Sequence, residues 1–480
     1  MPPTPPVTDV VTPPEAADSS TRRVPFGLAV LATGLPMFMA TLDNLVITNA
    51  LPAIHLDLGA SVEELQWFMN SFTLAFASFI LLAVALGDRY GRRTVFVWGI
   101  VVFTLASVGA ALASDPIQLI AARALQGVGG AAILPLSLAL LAGAVPPERR
   151  PLAIGIWGGT SGLAVALGPL VGGAVVEGWN WNAIFWLNVP VGLLAVPVSL
   201  LLLPNPFGER VRADVLGVVL AGLGVLGLVW GIVRGNDAGW DSLEVHIGLI
   251  GGTVLLTLFL LWQRRASAPL LPLRLFRDRS FTVANIVGLG FSFGIFGSVF
   301  ILIQFLQITQ GYSPLEAGVL TMPWTMAPML VAPLAGAVAP RVGTRALIVA
   351  GLALQAIALG WIALVMRADV SYGEFVGAFI FAGVGMGLVF APSSTAVLAR
   401  VVPADTAKAS GTNSTVREVG IALGIAVLTA VFTGAGGQLT PSGYVDAAIP
   451  AVVTGAIVIA ATAVVALLLP AGRSAGRAAP

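Results

Sequence analysis

The amino-acid sequence predicts an all-α membrane protein with fourteen transmembrane helices, arranged as two six-helix halves plus two inserted central helices. Of its 480 residues, 57% are hydrophobic and only 10% are charged, and the mean hydropathy is +0.94. Charged residues make up about 25% of a typical soluble domain. Apolar runs close to the roughly 20 residues that cross a bilayer recur along the whole chain. No stretch is left for a soluble catalytic domain.

The apolar runs predict the helices in order. Their ranges are 26–54, 66–86, 94–112, 116–144, 152–176, 183–203, 214–233, 246–263, 281–308, 316–338, 345–366, 374–399, 409–433 and 447–469. The Pro-rich segment 1–24 cannot bury a core and is expected to be a disordered cytoplasmic tail. It is not expected to be a cleavable signal peptide, because the apolar run after it is about twice as long as a signal peptide's apolar core.

The basic residues predict the orientation. With the N-terminus inside, all but four of the 24 Lys and Arg residues fall on the cytoplasmic side or in the cytoplasmic tails. The exceptions are Arg234 and Arg367 in external loops and Arg123 and Arg417 within helices. Cytoplasmic loops of membrane proteins carry an excess of Lys and Arg. Both termini are therefore predicted to be cytoplasmic.

An internal repeat predicts the domain organisation. The turn after the second helix reads VALGDRYGRR (84–93), and the turn after the tenth reads GAVAPRVGTR (336–345), so both contain Arg-x-Gly-x-Arg. Repeated helix bundles are typical of transporters whose halves rock about a central site. A channel would need filter loops or rings of like charge, and neither is found. The predicted units are 25–205, an inserted pair 206–265, a linker 266–280, a second half 281–470 and a tail 471–480.

Asp43 is the first candidate site residue, because it lies in the middle of an otherwise uncharged helix. A charge near the centre of a membrane helix costs about 2.5–3.5 kcal/mol, so such residues usually face a bundle interior or a wet cavity. Thr41, Asn44 and Thr48 form a polar stripe beside it. The alternative is a carboxylate that is merely paired with a neighbouring helix.

Two further candidates lie in later helices. Arg123 shares a small, polar helix face with Gln126, and the alternative role is a static donor between helices. Arg417 shares a face with Asn413, whereas Glu418 points about 100° away around the helix. Glu418 has two alternatives, a position near the cytoplasmic interface or a pairing with Arg417.

Two motifs are candidates for controlling conformation. In the first loop motif, the carboxylate and its arginines are predicted to hold another helix end at the cytoplasmic face; these residues are Asp88, Arg89, Gly91 and Arg92. The small-residue ridge of the fifth helix predicts a bend and a seal between the halves, and includes Gly168, Pro169, Gly172 and Gly173. The alternatives are a short turn in the first case and packing alone in the second.

Enzymatic signatures are weak. There is no Cys and no HExxH, and a Walker A loop is impossible because the sole lysine is Lys408, in ADTAKAS. GFSFG (290–294) matches a nucleophile elbow, but it lies within a predicted membrane helix rather than at a strand-to-helix turn. We expect no enzyme, no metal and no cofactor. Energy is expected to come from an ion gradient or a partner.

Several longer motifs resemble the fourteen-helix drug/proton antiporter branch of the major facilitator superfamily. They are LDNLVITNALP, GDRYGRR, RALQGVGGA, GPLVGG, FWLNVPVG, LRLFRDRSF and QGYSPLEAGVLTMP, and the resemblance spans nearly all of 25–470. It implies export by alternating access, driven by protons moving inward. It also implies that Arg123 belongs to a motif tied to proton coupling and that GPLVGG is typical of antiporters.

The combined prediction is a multi-pass protein of the bacterial inner membrane that exports lipophilic, cationic drugs in exchange for protons. Asp43 and Glu418 are expected to alternate between protonated and ionised forms, and the cation to compete at the ionised carboxylate. The expected partners are the substrate, protons and the lipid bilayer, without nucleic acid and with the protein as a monomer. A dedicated exporter of one antibiotic or metabolite is the alternative, and a membrane-embedded enzyme a more remote one.

Overall fold

A computed structural model describes residues 25–207, 214–267, 269–402 and 405–470. The two predicted tails, 1–24 and 471–480, lie outside the described residues. Within them the prediction of fourteen long apolar helices is confirmed. We number them α1 to α14: Phe26–Leu58, Val62–Tyr90, Arg92–Ala111, Pro116–Ala144, Leu152–Gly178, Ala183–Leu202, Val215–Arg234, Leu243–Gln263, Arg279–Thr309, Pro314–Val342, Thr344–Val365, Tyr372–Leu398, Lys408–Gly434 and Pro441–Ala466.

Local sequence signals set the helix ends. Ser61 caps α2 in a capping box with Glu64, and its side chain accepts a hydrogen bond from the Glu64 backbone N–H at 3.2 Å. Thr440 caps α14, which therefore begins at Pro441 rather than at 447. Hydrophobicity alone missed this first turn because it is polar. The last turn of α9, Phe305–Thr309, is π-helical.

Helix contacts repeat between the two sets of six. In the first set α3 packs on α4, α2 on α4, α1 on α5 and α3 on α6. The equivalent pairs in the second set, α11/α12, α10/α12, α9/α13 and α11/α14, are also in contact. The Arg-x-Gly-x-Arg turns repeat as well, because Gly91 has φ +100° and Gly343 has φ +92°. Side chains other than glycine are strained in that region.

The two sets meet along two seams, α2/α13 and α5/α10, which are equivalent positions in the repeat. The inserted hairpin α7–α8 packs against the first seam through contacts of α7 with α2 and α13. Arg234 at the end of α7 forms an ion pair with Glu63 of α2 at 3.0 Å. Asn236, just after α7, donates a hydrogen bond to Thr433 Oγ1 of α13 at 2.8 Å. The hairpin thus contacts both halves.

Candidate functional site

A charged cluster lies inside the first set of helices. Arg123 Nη1 of α4 donates to Asp43 Oδ2 of α1 at 2.5 Å, and also to Gln126 Oε1 at 2.9 Å. Arg123 Nε donates to the backbone oxygen of Phe68 at 3.1 Å, and its guanidinium lies 4.5 Å from the centre of the Phe72 ring. The structure therefore brings Asp43, Arg123 and Gln126 together, and Asp43 is paired with a neighbouring helix, which was the alternative considered for it.

Two further side chains complete this cluster. Asn188 of α6 donates to Asp43 Oδ1 at 2.6 Å, and Gln126 Nε2 donates to the same oxygen at 3.1 Å. Ser107 of α3 accepts hydrogen bonds from Gln126 at 2.8 Å and from Asn188 at 3.2 Å. The Asp43 carboxylate thus accepts from three side chains on two other helices, the kind of pairing that a buried ionised carboxylate needs.

Because both members of this ion pair are buried, the stability of the protein depends on keeping both of them. Arg123 has no exposed surface and Asp43 is 4% exposed. Removing one partner of a buried ion pair is strongly destabilising, because the remaining charge is left without compensation. Asp43 is therefore held by contacts within one half, and no described acidic or basic group of the other half takes part in the ion pair.

A cavity lies beside the cluster, between the two sets of helices. It measures about 870 Å³ including its open mouth. Asn44 links the two, because its side chain lines the cavity while its Oδ1 lies 3.5 Å from Arg123 Nη2. Thr48 also lines the cavity, and its hydroxyl lies 4.0 Å from Met69 Sδ.

The cavity wall is apolar and aromatic. The described residues that line it include no Asp, Glu, Lys or Arg. Its polar members are Asn44, Thr48, Thr321 and Thr325, and its apolar members are Leu45, Met69, Val165, Pro169, Ile295, Phe296, Val299, Phe300, Leu302, Ile303, Trp324, Phe379, Met386, Ile421 and Ile425. Sites for small organic molecules are typically concave and mostly apolar, with a few polar groups.

Arg417 and Glu418 lie in α13, in the other half, and do not join the Asp43 cluster. The guanidinium of Arg417 lies 4.0 Å from the centre of the Phe390 ring of α12. Among the described residues, no carboxylate lies within 4 Å of it. Glu418 Oε2 is buried without a hydrogen-bond partner. The predicted alternative of an ion pair between these two neighbours is therefore not formed in this conformation.

The GPLVGG ridge of α5 packs closely against α1 of its own half and against α10 of the other half. A Cβ on Gly172 would lie 2.7 Å from the backbone oxygen of Val46 of α1, and one on Gly173 would clash with the backbone oxygen of Pro314 of α10. Gly168 faces Leu45, and the carbonyl of Pro169 faces Gly318. Glycine permits these close approaches because it has no side chain.

Polar groups close the same seam. Asn49 of α1 donates to the backbone oxygens of Pro169 at 2.6 Å and of Pro314 at 3.4 Å, which joins α1, α5 and α10. At the end of α5, Glu177 Oε2 accepts from Ser313 Oγ at 2.5 Å and from the Leu315 N–H at 3.2 Å. The carboxylate thus caps the N-terminus of α10, where partial positive charge favours an anion. These contacts join the two halves at the end of α5 that is predicted to be external.

The loop motif holds a helix end within its own half. Asp88 accepts from Arg92 Nε at 2.8 Å, and Arg89 lies over Tyr90. Arg93, not Asp88, reaches another helix: its Nη1 donates to the backbone oxygens of Leu200 at 3.1 Å and Leu203 at 2.9 Å, at the end of α6. Gly91 provides the positive-φ turn between the two helices.

The sequence analysis missed several residues of the site. Asn188 lies in the FWLNVPVG motif, but uncharged amides were not searched as partners for Asp43. Ser107, Asn49 and Glu177 were also missed. A search for amides and hydroxyls inside the most apolar helices would have found Asn188, Ser107 and Asn49.

Comparisons with known proteins agree with this architecture. The sequence model of the Major Facilitator Superfamily matches residues 33–425 and 284–479. The "Multidrug resistance protein Stp" of Mycobacterium tuberculosis is 35% identical over 406 residues, which are 84% of this chain and 75% of that relative. The "Tetracenomycin C resistance and export protein" of Streptomyces glaucescens is 34% identical over 93% of this chain and 84% of its own.

The fold is also shared with a solved transporter. A crystal structure of the peptide transporter POT superposes with a TM-score of 0.68 at 17% sequence identity, covering 92% of this chain and 94% of that one. At this identity the likeness concerns the fold alone. The chain belongs to the fourteen-helix branch of the Major Facilitator Superfamily, and is a multi-pass transporter of the bacterial plasma membrane rather than an enzyme.

Proposed function

We propose that the protein exports lipophilic small molecules by alternating access, in exchange for protons. The observation that carries this proposal is an apolar cavity between two similar halves, closed at one end, beside a buried carboxylate. The cavity can hold the substrate and the carboxylate can hold the proton. Asn44 contacts both regions, which offers a physical route for coupling between them.

The relatives support a substrate that is a drug or an antibiotic. One is named as a multidrug resistance protein and another as a tetracenomycin C export protein. The cavity wall has few polar groups that would select one compound, which favours broad recognition. A dedicated exporter is the second candidate, and it is favoured by relatives such as the "Cephamycin export protein CmcT".

Asp43 is the proposed proton site. Protonation would remove the charge that Arg123 neutralises and would leave the guanidinium in need of another acceptor. Asn44 Oδ1, at 3.5 Å, is the nearest candidate at the cavity wall. A shift of Arg123 toward Asn44 would make the position of Asn44 at the cavity wall depend on whether Asp43 is protonated.

Glu418 is the proposed second proton acceptor. Its buried Oε2 lacks a hydrogen bond, so a proton can be added there without breaking an existing contact. It lies in α13, at the α2/α13 seam, where a change of charge would act on the contact between the halves.

The moving bodies proposed are the two halves, 25–205 and 281–470, with 206–265 as an inserted pair, 266–280 as the linker and both termini cytoplasmic. The repeated helix contacts and the two equivalent seams support this division. In this orientation the GPLVGG seal closes the external side. None of the described ion pairs predicted to lie near the cytoplasm joins the two halves: Arg92–Asp88 lies within the first half, and Arg274–Asp405 and Arg400–Asp278 join the linker to the second half. The conformation is then one in which the halves are tied together externally.

Substrate charge is not part of this proposal. A cation that competes at Asp43 would have to displace Arg123, and the described cavity wall offers it no other carboxylate.

The test is transport by purified protein in proteoliposomes with an imposed pH gradient, using one lipophilic dye cation and one lipophilic dye acid. We expect export of at least one dye, which stops when nigericin collapses the gradient. Asp43→Asn is expected to abolish the response to the gradient. Asp241→Asn, which changes an exposed carboxylate, is the matched control and should transport normally.

Proton coupling, the role of Asp43 and broad substrate recognition can each be contradicted separately. Dye export that continues without a gradient would contradict proton coupling, and normal coupling in Asp43→Asn would make Asp43 structural. Transport of a single compound among many tested would favour the dedicated exporter.

A further inference from the structure

Arg417 is a cation within a membrane helix that lacks an anionic partner. In the described part of the chain its guanidinium forms no ion pair within 4 Å. Its Cζ lies 4.0 Å from the centre of the Phe390 ring. Charged residues in membrane spans almost always pair with one another or with backbone carbonyls. The residue as a whole is of intermediate exposure, unlike the fully buried Arg123.

Its position is directly beside the cavity. Ile421, four residues later on α13, lines the cavity, and residues four apart share a helix face. Phe390 stands in the same relation to Met386 of α12, which also lines the cavity. Both helices therefore place the guanidinium and its ring one turn beyond the cavity wall, toward the predicted cytoplasmic side.

A third helix contributes to the same layer. Phe291 of α9 lies four residues before the cavity residue Ile295, and its ring packs edge-on against Phe390 at 5.7 Å and 84°. The Arg417 guanidinium thus lies over the Phe390 ring, and Phe291 packs against the edge of that ring. These three residues form a layer one helical turn beyond the residues that line the cavity.

The neighbouring residues leave room for this side chain. A Cβ on Gly288 of α9 would lie only 3.2 Å from Arg417 Cγ, so glycine lets the arginine stem pass close to the helix. Asn413, one turn earlier on α13, donates to Asn285 Oδ1 of α9 at 3.2 Å rather than to the guanidinium region. The arginine is positioned by packing, while its donors are not used by described residues.

Glu418 is an acidic group that interacts electrostatically with Arg417. Glu418 follows Arg417 in sequence but points around the helix, and the two are not within ion-pair distance. The described cavity wall contains no acidic residue. The described cavity wall is therefore apolar or neutral, and Arg417 is a positive charge one helical turn beyond it that forms no ion pair with described residues.

We propose that Arg417 recognises an anionic group, such as a carboxylate or a phenolate, on a lipophilic substrate whose apolar body fills the cavity. This inference rests on the proposed export function and names its substrate class. A guanidinium has a planar set of donors that binds carboxylates in pairs, and it stacks on aromatic rings while doing so. Asp43 cannot offer an equivalent site to a cation, because Arg123 already neutralises it.

The test is binding of three matched probes to the full protein in phosphatidylcholine nanodiscs: 1-pyrenebutyrate, its methyl ester, and a pyrenebutyl trimethylammonium ion. Quenching of tryptophan fluorescence reports binding, because Trp324 lines the cavity. We expect the acid to bind at least about tenfold more tightly than the ester, the scale expected of a charge-assisted hydrogen bond. The cation should bind less tightly than the ester.

Arg417→Gln should remove the preference for the acid and leave ester affinity within about twofold, the size of a side-chain change that breaks no direct contact with the ester. Unchanged ester binding shows that the variant still folds and keeps its cavity. Arg417→Lys should retain part of the preference, since it keeps the charge without the paired donors. Arg400→Gln, at an exposed arginine of the same half, should change nothing.

The outcomes separate this inference from the proposed function. Equal binding of acid and ester, tighter binding of the cation, or a preference that survives Arg417→Gln would overturn the anion site and leave the export function standing. Loss of the preference on adding anionic phospholipid would show that lipid phosphate, not a substrate, occupies Arg417. Absence of binding by all three probes would refute the lipophilic cavity and this inference with it.

Discussion

The two arginines within the membrane helices of this transporter have opposite surroundings. Arg123 in the first half has no exposed surface, and it is joined to Asp43, Gln126 and a backbone carbonyl. Arg417 in the second half rests on a phenylalanine ring and has no carboxylate within 4 Å among the described residues. A charge that is already neutralised holds the structure together and can respond to a proton. A charge that is not neutralised marks where a ligand's charge belongs.

The largest effect is expected at Asp43, where a single and a double variant distinguish loss of the carboxylate charge from loss of stability. Asp43→Asn alone leaves Arg123 buried without its counter-ion, which is expected to cost about 3–5 kcal/mol of stability and to abolish coupled export. Asp43→Asn combined with Arg123→Gln removes both charges and should recover most of the stability. Thermal unfolding and pH-driven export of the wild type and the two variants provide the measurement. Normal proton coupling in the double variant would show that the Asp43–Arg123 ion pair is not needed for coupled export.

The second prediction sets the arginines against each other. Arg123→Leu leaves the buried Asp43 carboxylate without its counter-ion and should lower stability by about 3 kcal/mol or more. Arg417→Leu removes a cation without an ionic partner and should change stability by less than about 1 kcal/mol, or raise it. Thermal unfolding in detergent, followed by tryptophan fluorescence, compares them. Equal losses would mean that Arg417 has a structural partner outside the described contacts.

The third prediction compares two amides. Asn188 donates to the Asp43 carboxylate at 2.6 Å, whereas Asn413 donates to a neutral amide at 3.2 Å. Hydrogen bonds to charged groups contribute about 1.5–3 kcal/mol and neutral ones about 0.5–1.5 kcal/mol. Asn188→Leu should therefore reduce stability and coupled export more than Asn413→Leu, as judged by unfolding midpoints and export rates. The reverse order would place the essential network in the second half.

The smallest effects are expected at the rings. Phe72 lies under Arg123 at 4.5 Å, and Phe390 lies under Arg417 at 4.0 Å. Cation–π contacts contribute about 0.5–2 kcal/mol. Phe72→Leu should change little, because Arg123 keeps its other partners. Phe390→Leu should weaken binding of a lipophilic acid severalfold while leaving a neutral ester unaffected, and equal effects on both ligands would indicate simple loss of packing.

Much of the fold was predictable because its signals are local. Long apolar runs predicted all fourteen helices, and the repeated Arg-x-Gly-x-Arg predicted two turns that share a positive φ. The charged members of the site were also predictable, since a charge inside an apolar helix is costly and therefore rare. Asp43, Arg123 and Arg417 were identified on that basis alone.

The remaining residues could not be found in the same way, because their roles depend on distant partners. Asn188 reaches Asp43 across 145 residues of sequence, and nothing in its own segment indicates that pairing. The ridge at Gly172 and Gly173 was predicted, but not that it would face the backbones of Val46 and Pro314. Polar side chains that are neutral on their own gain a role only when the fold brings them to a charge.

The inserted hairpin makes the two sides of the molecule unequal toward the lipid. Helices α7 and α8 cover the α2/α13 seam, whereas only 11% of the most apolar stretch of α10 is buried at the other seam. The hairpin therefore covers one of the two seams between the halves and leaves α10 on the side away from it. The outline of the transporter in the plane of the bilayer is thus asymmetric, although its two halves repeat the same helix contacts.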